Sequence, residues 1–479
     1  MSKPEVTLDT MIGNIKTALE EQYLVMNQIR REGRQLIVPE HMTFKDAAKS
    51  LIRWEKEMED EETNDIEIQG HPSDTLIAFQ NAMKSTFGAL IGRSEWVPTF
   101  FGMMKRPSKT KHVQISSTER IPVTYGRVEV PGLPIKLKVG VDKDRDNLLE
   151  STLFVEARYV KKYAPLVKMI EDGIRKELAE NSIFKGKAID SQFDFLNLDG
   201  FPLSRITYSR KEETELNAHV FRIIRSTDQI KKERMPIKRT ILLHGKFGTG
   251  KTLTALLAAN ICTENGWTFM NVRPGDSIVE ALNFAKAYQP CLVFFEDIDQ
   301  ETDGERDGSI NQILNTVDGL LSKNSEVMCI LTTNNADKIE KAMMRPGRID
   351  AVIEMGTMDR DSMSKLIQNH LNHSINGNID WDRLMKLAEG YTPSFITEAC
   401  NRAQLYAMDR SNGDGMPELT QEDLEGALTG LRSQYELMNQ DREMKTSGIE
   451  MALSNLVNRE VNGLRSDVFD MFKYLKDRI

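Results

Sequence analysis

A chain of 479 residues with 40% hydrophobic and 28% charged residues has an ordinary globular composition and the length for two to three domains. Its net charge of −9 argues against general nucleic-acid binding, which needs clustered Lys and Arg against phosphates. The four cysteines (Cys262, Cys291, Cys329, Cys400) lack metal-ligand spacing and read as buried hydrophobes of a reducing compartment. With no signal peptide and no apolar run long enough to span a bilayer, the expected location is cytoplasmic, with no membrane partner.

Along the chain, Leu8, Met11, Ile12, Ile15 and Leu19, then Leu76, Phe79, Met83 and Phe87, recur at helical spacing and predict a helical region over 1–111. The run from Lys105 to Lys111 reads as a solvated linker or a local basic patch. Residues 112–235 predict an α+β region. Ile135-Lys-Leu-Lys-Val139 alternates strictly, with strands at 123–130 and 153–160 as neighbours and a turn at 131–134. Helices follow at about 161–180 and 213–232.

From 236 to 357 short apolar strands (240–244, 268–272, 291–295, 327–332, 352–355) alternate with helical stretches. Strands apolar on both faces and separated by helices predict an α/β domain with a parallel sheet covered on both sides. An all-helical lid is expected over 358–430 and a helical tail over 431–479, with Leu453, Leu456, Val457, Leu464, Val468, Met471 and Leu475 on one stripe.

The chemistry gathers in the α/β domain. Gly245-Lys-Phe247-Gly248-Thr249-Gly250-Lys251-Thr252 has the spacing GxxxxGK[ST], led in by an apolar strand and led out by a helix starting at Leu253. Glycines let backbone N–H groups turn inward around phosphate oxygens, and the helix N-terminus adds partial positive charge. In such a loop Lys251 reaches the outer phosphates and the Thr252 hydroxyl ligates Mg2+, so ATP and Mg2+ are the expected cofactors. A second element, Cys291-Leu-Val-Phe-Phe-Glu296-Asp297, is an apolar strand ending in two acids. It suits one carboxylate on the Mg2+ water shell and the other on the attacking water.

With these motifs in order, the segment from about 240 to 410 resembles an AAA ATPase module of the AAA+ superfamily. The resemblance makes Asn334 the polar sensor between the acidic strand end and the γ-phosphate. Arg345 and Arg348, in Met344-Arg-Pro-Gly-Arg-Ile-Asp, become arginine fingers that enter a neighbouring subunit's site. His370 takes the lid position near ribose and adenine, or is an ordinary histidine, and Ser394 lies in a lid turn that closes over the nucleotide. Fingers acting in trans imply a homo-oligomeric ring, a hexamer by that resemblance.

Two departures stand out. The acidic pair reads Glu then Asp where most relatives read Asp then Glu, an order similar to that of the mitochondrial Rieske-protein translocases. By register Glu296 takes the metal side and Asp297 activates water, although Asp is one methylene shorter and needs a backbone shift to reach as far. Between Val272 and Cys291 there is room only for a helix over 277–288, with Ile278, Leu282 and Ala285 on its apolar face. No aromatic paddle fits there, so ordinary pore-loop threading is not expected. The segment at 180–188 is similar to bacterial and phage AAA proteins. The leading expectation is a ring ATPase that remodels or moves a protein client selected by residues 1–235. A replication or recombination accessory acting on nucleic acid, disfavoured by charge, and a nucleotide-gated scaffold with little turnover remain as rivals.

Overall fold

The computed structural model describes residues 30–438 apart from 33–34, 39, 89–90, 93–94, 100–101, 107, 131–132, 144–147, 200–205, 299–313, 318, 320, 322–323, 336–344, 346, 357, 372–374, 376–378 and 412–417. The helix expected at 8–19 and the stripe at 453–475 lie outside the described residues. Described residues within 1–200, 218–243 and 254–352 form one compact unit; those within 201–217, 244–253 and 353–479 form a second.

In the first unit, β1 (Arg30–Glu32) pairs with β2 (Gln35–Ile37), and helix α1 (Phe44–Met58) follows. Strand β3 (Glu61–Gln69) leads to helix α2 (Pro72–Phe87), then come β4 (Ile91–Gly92) and the antiparallel pair β5 (Glu95–Thr99) and β6 (Gly102–Arg106). Next are β7 (Lys109–Gln114), β8 (Arg120–Glu129), β9 (Ile135–Asp142), β10 (Thr152–Val160) and helix α3 (Ala164–Asn181). They build an antiparallel sheet in the order β3-β10-β9-β8-β4, with β7 also on β8. The alternation in β9 puts Ile135, Leu137 and Val139 inward and Lys136 and Lys138 outward, where Lys138 meets Glu156 of β10 at 2.9 Å. Helix α2 buries Leu76, Phe79, Met83 and Phe87. It starts at Pro72, with Nδ1 of His71 accepting from Ser73 N, and stops at Gly88 (φ 72°).

A wholly helical 1–111 is therefore corrected. Helices cover 44–58 and 72–87, but β3 carries buried Ile66 and Ile68 between exposed Asp65 and Glu67, a two-residue period. Its partner β10 is remote in sequence, and local periodicity cannot reveal such a pairing. Lys105 and Arg106 close β6, and Lys109 and Lys111 lie on β7, so that basic run is not a linker.

The second sheet of this unit is parallel and six-stranded. Its strands are β11 (Ala188–Asp190), β12 (Arg239–His244), β13 (Thr268–Val272), β14 (Cys291–Phe295), β15 (Val327–Thr333) and β16 (Ala351–Glu354), in the order β11-β13-β14-β15-β12-β16. Every residue of β14 and β15 is buried, as strands covered on both faces require. All four cysteines are buried and unpaired. A start at 236 is corrected by β11, which comes from the 112–235 region and pairs with β13. Three residues are too few to show a period. The helix expected over 213–232 is interrupted: α4 (Arg210–Leu216) ends in a π-helical turn at Asn217–Phe221, followed by short helices at Arg222–Arg225 and Thr227–Lys232.

One apolar cluster runs from α2, α3 and the antiparallel sheet to β13, β14 and β15, so the N-terminal sheet shares a core with the parallel one. A polar joint crosses that core. Asp74 of α2, 1% exposed, accepts from Ser182 Oγ (2.7 Å), Ile183 N (3.0 Å) and Tyr288 OH (2.9 Å). Burial holds its carboxyl above the usual range although the three donors oppose this.

In the second unit α4 is fixed by a capping box between Ser209 and Glu212. The lid helices α7–α10 are preceded in sequence by α5 (Lys251–Glu264) and α6 (Ile278–Ala287). They are α7 (Arg360–His370), α8 (Trp381–Leu387), α9 (Pro393–Arg410) and α10 (Gln421–Gly430), around Met363, Leu366, Leu384, Tyr391, Ala403 and Leu428. These are the described helices of the region expected to be helical. No described helix is long and apolar enough to cross a membrane.

Asp74→Ala leaves three buried donors without an acceptor and is expected to lower unfolding free energy by on the order of 3 kcal/mol in denaturant titration. A raised folded-state value means that Asp74 contributes most below the ordinary carboxylate range and less as pH rises through that value. The gap between wild type and variant should therefore widen towards about pH 5. A gap that narrows there would refute this account of the joint.

Candidate functional site

The carboxyl end of β12 runs into the loop 245–252, which the second unit holds by close contacts. Gly248 has φ 77°, and a Cβ there would collide with Ser394 Oγ; Ser394 N donates to Gly248 O at 3.1 Å. Only glycine tolerates both the backbone and the approach. Ser394 is thus brought to the loop, as is Thr392, whose hydroxyl lies 3.0 Å from that of Ser394. The ammonium of Lys251, itself buried, donates to the carbonyls of Gly245 (2.7 Å) and Lys246 (3.0 Å), and Thr249 Oγ donates to Lys246 O at 2.9 Å. Gly250 takes φ 98°, and the space where a Cβ would stand is clear of other atoms. Phe247, Thr252 and Leu253 are exposed. A loop of this shape, with an ammonium and an exposed hydroxyl, fits the phosphates and Mg2+ of a nucleotide.

The ring of His370 lies on the lid, its Nε2 2.9 Å from Asn401 Oδ1. Glu212, absent from the expected site, accepts from Gly356 N at 2.8 Å. Its signal was the Ser-x-x-Glu capping pattern at 209–212. Thr392 could have been found as the N-cap before Pro393.

In the first unit, Glu296 and Asp297 are the first two residues past β14, both half-buried. Asp297 takes φ 39°, left-handed for a non-glycine residue, a strain that concentrates at functional sites. Its N donates to Thr332 Oγ at 2.8 Å, and Asn334 Nδ2 donates to its Oδ1 at 3.2 Å. Asn334 and the Asp297 carboxylate are therefore brought together. Burial, and then the neighbouring Asp297, push the Glu296 carboxyl upward, while Arg273 pulls it down.

Arg345 and Arg348 lie on a turn in which Arg348 N donates to Arg345 O at 3.0 Å. Asp350 fastens this turn to Thr240: its Oδ2 accepts from Thr240 N at 2.9 Å and its N donates to Thr240 O at 2.8 Å. Thr240 lies at the amino end of β12, whereas Glu296 lies at the carboxyl edge of the same sheet. A six-residue strand separates those edges, roughly 17 Å. The turn that carries the two arginines is thus anchored at the sheet edge opposite Glu296 and Asp297.

Between Val272 and Cys291 stands the expected helix, α6, capped by Ser277 and burying Ala281, Leu282, Phe284 and Ala285. No paddle projects from this connection.

A parallel sheet, a glycine-rich loop after one strand and an acidic pair after another define a phosphate-loop nucleotide-binding domain. Residues 241–357 match the model of the ATPase family associated with various cellular activities (AAA), and this segment is an AAA ATPase domain. A 189-residue stretch, 35% of this chain and 46% of the relative, is 31% identical to the probable 26S proteasome regulatory subunit 10B of Caenorhabditis elegans. A 227-residue stretch, 43% of this chain and 44% of the relative, is 29% identical to the ATP-dependent zinc metalloprotease FtsH 2 of Thermoanaerobacter sp. (strain X514). The chain thus spans about half the length of the curated relatives it matches.

Gly248→Ala must push Ser394 aside and strain the backbone, and should weaken nucleotide binding about tenfold or more in a fluorescent-nucleotide titration. Adding Ser394→Gly removes the collision but not the strain, so only part of the affinity should return. Full affinity in Gly248→Ala alone would mean that the contact does not shape the loop.

Proposed function

We propose that this chain hydrolyses ATP with Mg2+ in a ring of identical subunits, a hexamer by resemblance, and uses the cycle to remodel or move a protein client in the cytoplasm. The observation that carries the hydrolase reading is the hydrogen bond from Asn334 to Asp297 at the strand end following the acidic pair. In this reading the loop N–H groups and Lys251 bind the phosphates, and Thr252 and Glu296 hold Mg2+, with Phe247, Leu253 and His370 towards the rest of the nucleotide. Bound Mg2+ supplies charge neutralisation at the phosphate oxygens. Asp297 accepts the proton of the attacking water, and Asn334 keeps its carboxylate aimed. The left-handed backbone at Asp297 supplies the shift that its short side chain needs.

The position of the arginine turn supports action in trans. Arg345 and Arg348 sit on the sheet edge away from Glu296, so a neighbouring subunit is the reasonable recipient of their charge. Two relatives carry names that involve proteolysis, a proteasome regulatory subunit and an ATP-dependent protease, which favours a protein client over nucleic acid. The helix in place of a projecting loop before β14 argues for a grip on that client other than an aromatic paddle.

Lys251→Ala should abolish nucleotide binding. Arg348→Ala should keep binding and lose turnover by a factor of order 10³ or more. Mixing these two variants should restore part of the rate, since each Lys251→Ala subunit offers Arg348 to an intact site. Normal turnover by Arg348→Ala as a dilute monomer would end the trans model.

A further inference from the structure

Three parallel strands end side by side, and charges of alternating sign run across their ends. Asp190 closes β11, Arg273 is the first residue past β13, and Glu296 is the first past β14. The register sets Asp190 against Asn271 and Val272 against Phe295, which puts Arg273 level with Glu296. Arg273 Nη2 meets Asp190 Oδ2 at 3.4 Å, and Glu296 N donates to Val272 O at 2.9 Å. Asp190 is buried, and its Oδ1 accepts from the N–H groups of Gln192 (3.0 Å) and Asp194 (3.1 Å). Asp276 grips the other side: it accepts from Arg273 N (3.0 Å), from Ser191 Oγ and from Gln192 Nε2 (3.4 Å). Backbone and side chain of Arg273 are thus both tied to the turn after β11.

The Arg273 side chain is 60% exposed, so its pair with Asp190 adds little stability of its own. Level with it in the register is Glu296, a half-buried carboxylate whose neighbour in sequence is a second acid, Asp297. Two adjacent acids repel, and a nearby cation is what keeps one of them from turning away.

We propose that Arg273 is a positioning residue: anchored by Asp190, its guanidinium holds the Glu296 carboxylate in place beside Asp297. The edge strand β11 lies outside the matched family segment 241–357, yet it becomes a working part of the nucleotide site. The functional consequence rests on the hydrolase reading above.

Two measurements test it. In turnover, Arg273→Ala is expected to lower kcat about tenfold or more with KM for ATP changed by less than about threefold. Arg273→Lys should recover much of that loss, and Asp190→Asn should show a smaller loss of the same kind. In thermal unfolding without nucleotide, Glu296→Gln should raise Tm more in the Arg273→Ala background than beside Arg273, because only there is the acid pair uncompensated. Unchanged kcat in Arg273→Ala, or equal Tm shifts in both backgrounds, overturns the proposal. A wild-type chain without turnover defeats the hydrolase reading instead, and the Tm comparison then decides the role of Arg273 alone. If Arg273→Ala fails to fold, Arg273→Gln and Arg273→Lys carry the same comparison.

Discussion

Parallel strands cannot be joined by tight hairpins, so each strand of the six-stranded sheet leaves its carboxyl end to a loop that must travel before it returns. That constraint gathers the chemistry on one edge. Within the first unit Asp190 follows this rule at β11, Arg273 at β13, Glu296 and Asp297 at β14, and Asn334 at β15. The first residue past a buried strand is still located by the last ladder bonds while its side chain has left the core. Glu296 N on Val272 O and Ile298 N on Thr332 O are such bonds, and between them the acidic pair has little freedom.

The same constraint explains what could be read from the sequence. Strands buried on both faces are uninterrupted apolar runs, and the five expected between 240 and 355 coincide with β12 to β16 to within a residue or two. The loop was legible because its chemistry demands glycines at fixed spacing. What escaped was whatever depended on pairing across the chain. Strand β11 is three residues long and is a strand only because β13 offers an open edge. Strand β3 alternates weakly in sequence and is fixed by a nine-residue register with β10. The capping patterns at 209–212 and 392–393 mark Glu212 and Thr392 as helix starts, but not that Glu212 accepts from Gly356 N or that Thr392 meets Ser394.

The N-terminal sheet is not a detachable module in this arrangement. Asp74 draws α2, the 182–183 connection and Tyr288 at the end of α6 to a single carboxylate, and the apolar core continues around it. A few residues further on, the same connection becomes β11 and ends in Asp190. A change in how residues 61–181 are held has a short covalent path to the strand that grips Arg273. This is a physical continuity, and coupling along it would need a two-state element to carry a signal.

The acidic pair bears on the same question from the other side. In the proposed hydrolysis, an acid shorter than Glu that activates water needs to be carried forward, and a side chain cannot do that by changing rotamer alone. The backbone does it: Asp297 sits at φ 39°, a conformation that costs on the order of 1 kcal/mol or more for a residue with a Cβ. Asp and Asn tolerate that region better than Glu. Thr332 Oγ on Asp297 N and Asn334 on its carboxylate offset the cost. The left-handed turn therefore suits Asp at 297 better than it would suit Glu. A simple exchange of the two acids would put Glu where the backbone disfavours it, so the reversed order is better understood as one solution than as a defect of the usual one.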